Sequence, residues 1–472
     1  MSHPSADRMP VTGPLSSVRV HRVYEKGESE MGQVVEEKLK TPVAGEYDLI
    51  VAGAGPAGVA AAIAAARAAA DTLLIEANGC LGGTWTAGIL AYVFDMQSGI
   101  GMEIIERLKE RRAYVQTAQE GEMREGRINF TYDIESMKLI LDRMCREAGV
   151  DVLLHTRVVA AAVDDERRLR TIVTESKSGR QAWRAHAFVD ATGDGDLGAL
   201  AGNGFDMGSE EDGALQPMTY MGLIVVRSAE EVADCISFWQ GVNEHGPRLR
   251  SFLKHLHALD IEPSYGGATL FQVRDNLLAI MINHEYGKDA TDTRDVTEAT
   301  FSGRAEVNRI VDALSATPGP FEGCLLAATP EYIGVREGRR LHGRYRVTAD
   351  DLLSGARFRD AVARVRFGVD IHSPDPEKGT GNTNLGMRAR PYDIPMRALI
   401  ARDVDGLLMA GRCISGDWIA FSSYRVTGEA VSMGQTAGAL SAVSAQTGRL
   451  PHEVPWTDVE PAIPHSAGSD QT

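Results

Sequence analysis

The sequence predicts an α/β fold: a doubly wound, mostly parallel sheet into which a second, α+β domain is inserted. Three observations predict it. The turn Gly53-Ala54-Gly55-Pro56-Ala57-Gly58 separates an apolar run, Tyr47 to Ala52, from an alanine-rich run, Val59 to Ala70. Strand, glycine turn and helix in that order open a dinucleotide-binding unit. A second apolar run, Thr72-Leu73-Leu74-Ile75, ends in Glu76, eighteen residues past Gly58, near the spacing at which an acid accepts ribose hydroxyls. Much later, Leu407-Leu408-Met409-Ala410 is another buried-strand run, followed by Gly411-Arg412 and an Ala- and Gly-rich helical pattern from Ser422 to Ala445.

The intervening elements follow from pattern. Residues 100 to 113 and 134 to 148 read as helices; Met137, Ile140, Leu141 and Met144 recur at helical spacing, and Gly149 supplies a C-cap. Extended runs at Val152 to Val163, Leu169 to Glu175 and Ala182 to Val189, split by turn residues, suggest an antiparallel meander. The last run ends in Asp190-Ala191-Thr192-Gly193-Asp194-Gly195-Asp196, a small-residue turn that lets backbone approach a ligand. Residues 1–45 read as a polar N-terminal tail, 46–214 as the first part of the nucleotide domain, 215–385 as a substrate or cap domain, 386–449 as the second part, and 450–472, with four prolines, as a loose C-terminal tail. The proline- and glycine-rich stretch Ser373 to Asn382 is a loop, either a solvated surface segment or a lid.

Composition narrows the function classes. The chain has 472 residues, 49 basic and 65 acidic, for a net charge of −16, which argues against nonspecific nucleic-acid or anionic-membrane binding. Cysteines at 80, 145, 235, 324 and 413 are scattered. They form no zinc or cluster-binding run, and an odd, dispersed set suits reduced thiols in a cytoplasmic protein. The opening residues have no apolar signal core, and the alanine-rich helix is too short to span a bilayer.

Further motifs accompany the glycine turn: Leu81-Gly82-Gly83-Thr84 after Glu76; the Asp190–Asp196 turn; Glu331 to Arg340; Asp370-Ile371-His372; and Ala410 to Ser415 with Ser423-Tyr424-Arg425-Val426 and Met433-Gly434-Gln435. In this order they resemble the FAD-dependent oxidoreductase family that includes the heterodisulfide-reductase-like flavoproteins. They resemble equally the wider two-dinucleotide-binding-domain and fumarate-reductase-like flavoproteins. The likeness runs from about Val34 to about Gly448. It implies a Rossmann-like domain holding FAD. Gly53, Gly55, Pro56, Ala57 and Gly58 would meet the pyrophosphate, and Glu76 the adenosine ribose. Gly82, Gly83 and Thr84 would pass near the flavin-side phosphate, and Thr192, Gly193 and Asp194 would line the adenine side. Gly411, Arg412 and Arg425 would approach the isoalloxazine ring. Iron–sulfur clusters found in the heterodisulfide-reductase branch are not expected, because the cysteines are ungrouped.

Because flavin chemistry belongs to the cofactor, the protein must supply a proton-handling group and a hold on the substrate. If 336–340 is helical, Arg336 and Arg340 share a face beside Arg339 and could clamp a carboxylate or phosphate; the competing reading is a structural set paired with acids. His342 and Tyr345 are candidate proton donors. His372 is a candidate base as a hydride leaves carbon, or an anchor for the following loop. Arg425 could contact the flavin or the substrate. His245, His255 and His257 read as surface residues, and no metal site is expected. The expected function is hydride transfer between a small-molecule substrate and flavin N5, with His372 or His342 managing the proton and arginines fixing any anionic group. Two alternatives stay open: a flavin-bearing electron-transfer subunit of a heterodisulfide-reductase-like complex, and a nucleotide-binding module without redox activity. The electron acceptor is unknown, and a homo-oligomer is compatible with the sequence.

Overall fold

The structure is a computed structural model that describes residues 40–97, 99–117, 128–239, 242–243 and 245–464. Most of the expected N-terminal tail (1–39) and the last eight residues of the expected C-terminal tail lie outside the described residues. From Val43 onward the chain forms one compact unit.

Its first sheet is built around β1 (Val43–Ala52), whose last four residues are fully buried. The glycine turn leads into α1 (Pro56–Arg67) and then β2 (Thr72–Ile75). After the helix Gly99–Glu110 and a small sheet of Tyr92–Val93, Tyr114–Gln116 and Phe130–Tyr132 come α2 (Ile134–Ala148), capped by Asp133 and ended by Gly149, then β3 (Asp151–Leu153), β4 (Arg157–Val163), β5 (Leu169–Ser176) and β6 (Gly179–Asp190). The sheet order is β3-β2-β1-β6-β5-β4. β3, β2, β1 and β6 run parallel, while β4, β5 and the first half of β6 form antiparallel hairpins. The predicted run Val152 to Val163 is therefore two strands. His155 takes a positive φ of 52°, and Thr156 N–H bonds Glu76 C=O at 2.9 Å, so the chain bends around the end of β2 before the meander begins.

A second sheet spans β7 (Gly222–Val225), β8 (Ile236–Trp239), β9 (Val242–Asn243), β10 (Thr269–Arg274), β11 (Leu277–Met281) and, after helix α3 (Thr293–Ala316), β12 (Leu325–Ala328). Its order is β9-β8-β10-β11-β7-β12. The alternation of strand side chains splits its residues between two cores. Leu270, Leu278 and Ile280 join the cluster under α3, with Val307, Ile310 and Leu314. Phe271, Val273 and Ala279 face the other way and belong to the core of the first sheet. Residues 341–371, within the expected 215–385 segment, also pack into the first core.

The chain returns to the first sheet with β13 (Leu407–Met409), parallel to the far half of β6. The single helix predicted from Ser422 to Ala445 is two: α4 (Trp418–Tyr424) and α5 (Thr427–Thr447). Val426 is extended between them, so α5 starts afresh with its own N-terminus. α5 lies against α1 at backbone contact. A Cβ on Gly434 would stand 2.0 Å from Ala57 C=O, and one on Gly438 2.0 Å from Ala61 C=O. The small residues of both helices are what permit that approach. Beyond α5 the expected loose tail is corrected as far as residue 464: it makes short helical turns and buries Val454 and Val459 in the core.

Glu429, in the first turn of α5, is fully buried. Burial and the neighbouring Asp95 carboxyl push its pKa well above the ordinary carboxylate value. A carboxyl raised on folding stabilises at low pH and loses that contribution as pH rises through the unfolded value toward the folded one. Glu429→Gln, which keeps the shape and removes the titration, is expected to raise the melting temperature at pH 8 more than at pH 5. Thermal melts of both proteins across that range check this.

Candidate active site

The two sheets enclose a cavity of about 1170 Å³. One end is the glycine turn. Gly53 has φ +90° and Gly58 lies on Gly53: a Cβ at 58 would sit 1.8 Å from Gly53 C=O. Gly55 is different. A Cβ there would meet no protein atom within 4 Å, so its surface opens into the cavity. Gly55 is also the N-cap of α1, and no side chain caps that helix. Uncapped first-turn N–H groups and the helix dipole favour an anion at this point.

The remaining predicted cofactor residues gather around it. Glu76 lines the cavity; its carboxylate accepts from Ala54 N–H at 2.7 Å and from Asn78 N–H and Nδ2 at 2.8 and 2.7 Å. Oε1 takes both Asn78 donors, and Oε2, bonded only to Ala54 N–H, keeps a further lone pair. Pro56, Ala57, Gly83 and Thr84 line the same space; Gly82 does not, and instead donates its N–H to Ala54 C=O at 2.8 Å. The Thr192–Asp194 turn also lines it and is pinned by Asp190, which accepts from Thr192 N–H, Thr192 Oγ1 and Gly198 N–H at 3.0, 2.7 and 2.8 Å. Burial raises Asp190 to about 6. Gly411 and Arg412 line the wall, but the Arg412 guanidinium is a strut, bonded to Asp194 Oδ1 and Val335 C=O at 2.7 Å each. At the other end, Val426, Thr427 and Ala430 present the N-terminus of α5, also without a side-chain cap. One cavity bounded by two uncapped helix starts, an open glycine surface and a carboxylate fits an adenine dinucleotide whose phosphates and electron-rich ring need positive ends.

Beyond those motifs the walls change. Aromatic Tyr92, Phe94, Phe271 and Phe367 pack together on one side. Facing the same space are His372, Asp370, Tyr265, Arg336 and Arg425. His372 is held by a two-residue ladder with Asn382–Thr383 and by its N–H on Gln216 Oε1 at 2.9 Å. Its Nε2 lies 3.3 Å from Asp370 Oδ2 and its Nδ1 3.0 Å from His284 Nε2. Burial, then the Arg336 charge, push His372 down to about 4. The Asp370 carboxyl is well below its usual range: burial opposes this, but His372 and Arg425 outweigh it. Arg425 donates to Asp370 C=O at 2.6 Å. Arg336 donates through Nη1 to Pro217 C=O and Thr219 Oγ1 at 2.8 and 2.6 Å. Among the described residues no carboxylate oxygen lies within 4.0 Å of it, and burial pushes it down to about 10.

The structure corrects several expectations. Residues 331–339 are irregular, and Arg340–Leu341 is a short strand paired with Phe205–Asp206, so Arg336 and Arg340 share no helix face. Arg340 is buried away from the cavity, bonded to Glu337 at 2.9 Å and Gly208 C=O at 2.8 Å. His342 also lies outside the cavity lining, with Nε2 3.1 Å from Asp206 and Nδ1 2.7 Å from Arg402. Tyr345 donates to Asp351 and packs edge-on against Phe358. Carboxylate partners that spacing does not reveal, Glu337, Asp206 and Asp351, decide these three. His245, read as a surface residue, is exposed, and from the start of its helix it also borders the cavity. No sequence pattern marks Tyr265 or His284; only tertiary pairing brings them to His372.

A model of the FAD dependent oxidoreductase family matches residues 48–463. No curated protein matches the chain. Among solved structures it is similar to p-nitrophenol 4-monooxygenase PnpA from Pseudomonas putida DLL-E4, at 10% identity over 89% of this chain and 84% of that one, TM-score 0.49. It is similar also to a geranylgeranyl bacteriochlorophyll reductase-like protein from Thermoplasma acidophilum, at 11% identity over 88% and 82%, TM-score 0.45. A third is the myxobacterial chondrochloren halogenase CndH, at 12% identity over 89% and 78%, TM-score 0.43.

Proposed function

The chain belongs to the FAD-dependent oxidoreductase family, and on that premise we propose that it transfers a hydride between a carbon of a small anionic substrate and the flavin. His372 handles the accompanying proton and Arg336 holds the anionic group. Bound FAD supplies the two-electron chemistry. In this reading Gly55 and the start of α1 take the pyrophosphate, Glu76 the ribose, Gly83 and Thr84 the neighbouring phosphate, and the Thr192–Asp194 turn the adenine side. Gly411 and the start of α5 take the redox ring.

One observation carries the substrate half: Arg336 is a half-buried cation that lines the cavity without a carboxylate partner among the described residues. A buried charge is costly unless paired, and a substrate carboxylate or phosphate supplies the pair. Arg425 lacks this property because Asp370 sits 3.7 Å away. His372 adjoins the same space, neutral through the physiological range, so it can give or take a proton without first changing charge.

The test is anaerobic bleaching of the yellow holoenzyme by hydroxy acids, amino acids and unsaturated acids, each beside its uncharged ester. Acids are expected to bleach it and esters not. Arg336→Gln is expected to keep FAD but weaken binding of the active acid by about 2–3 kcal/mol, the worth of a hydrogen-bonded charge. Bleaching by esters as fast as by acids, or unchanged affinity in Arg336→Gln, overturns the anionic assignment.

A further inference from the structure

A proton handled at His372 needs a route to water when the cavity is filled. His372 Nδ1 stands 3.0 Å from Nε2 of His284. His284 is buried, and its Nδ1 is 3.1 Å from the hydroxyl of Tyr286. Tyr286 is only half-buried. Its hydroxyl has a second acceptor, Ser264 C=O, at 3.0 Å. Tyr265 closes the cavity side of the pair, its ring centroid 4.1 Å from that of His284 and 5.5 Å from that of His372.

We propose that His284 and Tyr286 form a proton relay that connects His372 to bulk water through the body of the protein rather than through the cavity. The inference rests on the reading of His372 above. The donors set its direction. With Asp370 ionised, His372 Nε2 carries the proton that faces it, so Nδ1 is an acceptor. His284 then donates from Nε2, and its Nδ1 accepts the Tyr286 hydroxyl. All the donors point toward the cavity.

Proton delivery shifts every link once. The Nε2 proton of His372 passes to the substrate heteroatom, the Nε2 proton of His284 passes to His372 Nδ1, and the Tyr286 proton passes to His284 Nδ1. Tyr286 takes a proton from solvent, and its renewed hydroxyl points to Ser264 C=O. One proton leaves water and one reaches the substrate; no electron moves along the chain. Both rings stay neutral and exchange tautomers. Substrate oxidation runs the same steps backward. The two acceptors of Tyr286 thus correspond to the two states of the wire. The charged and titratable groups around it are Asp370, Arg336, Arg425, Tyr265 and, beside Tyr286, Glu306. Burial and Arg336 hold His284 far below the ordinary histidine range, so a proton cannot rest there.

The experiment uses full-length holoenzyme labelled with ¹⁵N-histidine, the His284 and His372 signals among the 12 histidines being assigned from single variants. Both rings are expected as neutral Nε2–H tautomers at pH 7. Solvent exchange of the His372 ring proton is expected to slow about 100-fold in Tyr286→Phe and in His284→Gln, the low end of the range a single proton-transfer group contributes. FAD content should not change. Exchange in Tyr286→Phe as fast as in the native protein overturns the relay, and this conservative variant decides the matter if His284→Gln fails to fold. The bleaching specificity is independent of this readout, so the relay can fail while the functional reading stands.

Discussion

Gly58→Ala is expected to yield protein with little or no bound FAD and a melting temperature lowered by several degrees. The added Cβ would sit 1.8 Å from Gly53 C=O, 2.9 Å from Gly53 C and 3.2 Å from Ala191 Cβ. No rotamer relieves a Cβ clash with backbone. The turn must move away from α1, and overpacking of this kind costs about 1–3 kcal/mol or more. The displaced turn is the surface on which the cofactor phosphates are placed, so stability and cofactor are lost together. Gly55→Ala separates the two effects. Its backbone is extended, with φ −67° and ψ −174°, which alanine adopts freely, and its Cβ meets no protein atom within 4 Å. The apoprotein of Gly55→Ala is therefore expected to melt with the native apoprotein while holding FAD more weakly. Flavin absorbance per protein and apoprotein melting curves measure both. Full FAD retention in Gly55→Ala would show that the open space over residue 55 is not where the cofactor lies.

These two glycines also show what could be read in the sequence. The turn is a local object: its φ angles, the strand before it and the helix after it are fixed by neighbours along the chain, and Glu76 follows one short strand later. The family motifs are equally local. What spacing could not supply is which groups pair. Arg340, His342 and Tyr345 are close in sequence to Arg336 and read as its partners. Asp206, Asp351 and Glu337 take them up instead, and the backbone there is irregular rather than helical. His284 lies 88 residues before His372, on the chain that leaves β11 of the second sheet, and nothing in its neighbourhood marks it. His245 carries the period of a surface helix, but it occupies that helix's first position, where a side chain can face the cavity. The half of the cavity proposed to hold FAD was thus legible because it is made of turns. The half proposed to react was not, because it is made where two sheets meet.

His372→Gln is expected to keep its flavin and to reduce it about 100- to 1,000-fold more slowly in a single turnover with whichever acid bleaches the native enzyme, the range lost with a general acid–base group. Glutamine keeps the bulk of the ring and a donor toward Asp370 but cannot exchange a proton with His284. Affinity for the acid should change little, since Arg336 is untouched, so the loss appears in the reduction rate constant and not in the dissociation constant. The pH dependence adds a second reading. The folded pKa of about 4 lies below the ordinary 6.5, so His372 is neutral across pH 5 to 8. The native rate should then show no inflection near 6.5 from this residue. Stability carries the opposite face of the same shift. Between 6.5 and about 4 the unfolded chain binds the proton that the folded chain refuses, so the native protein loses stability as pH falls through that window. The depressed Asp370 carboxyl adds its own loss only as pH falls below the ordinary carboxylate value. His372→Gln removes this histidine's contribution and should make the fall of the melting temperature between pH 6.5 and 4 shallower, the His284 share remaining. A variant that reduces its flavin at the native rate would take His372 out of the chemistry and leave the arginine without a neighbour to act beside; one whose melting temperature falls through that window as steeply as before would overturn the depressed pKa of His372.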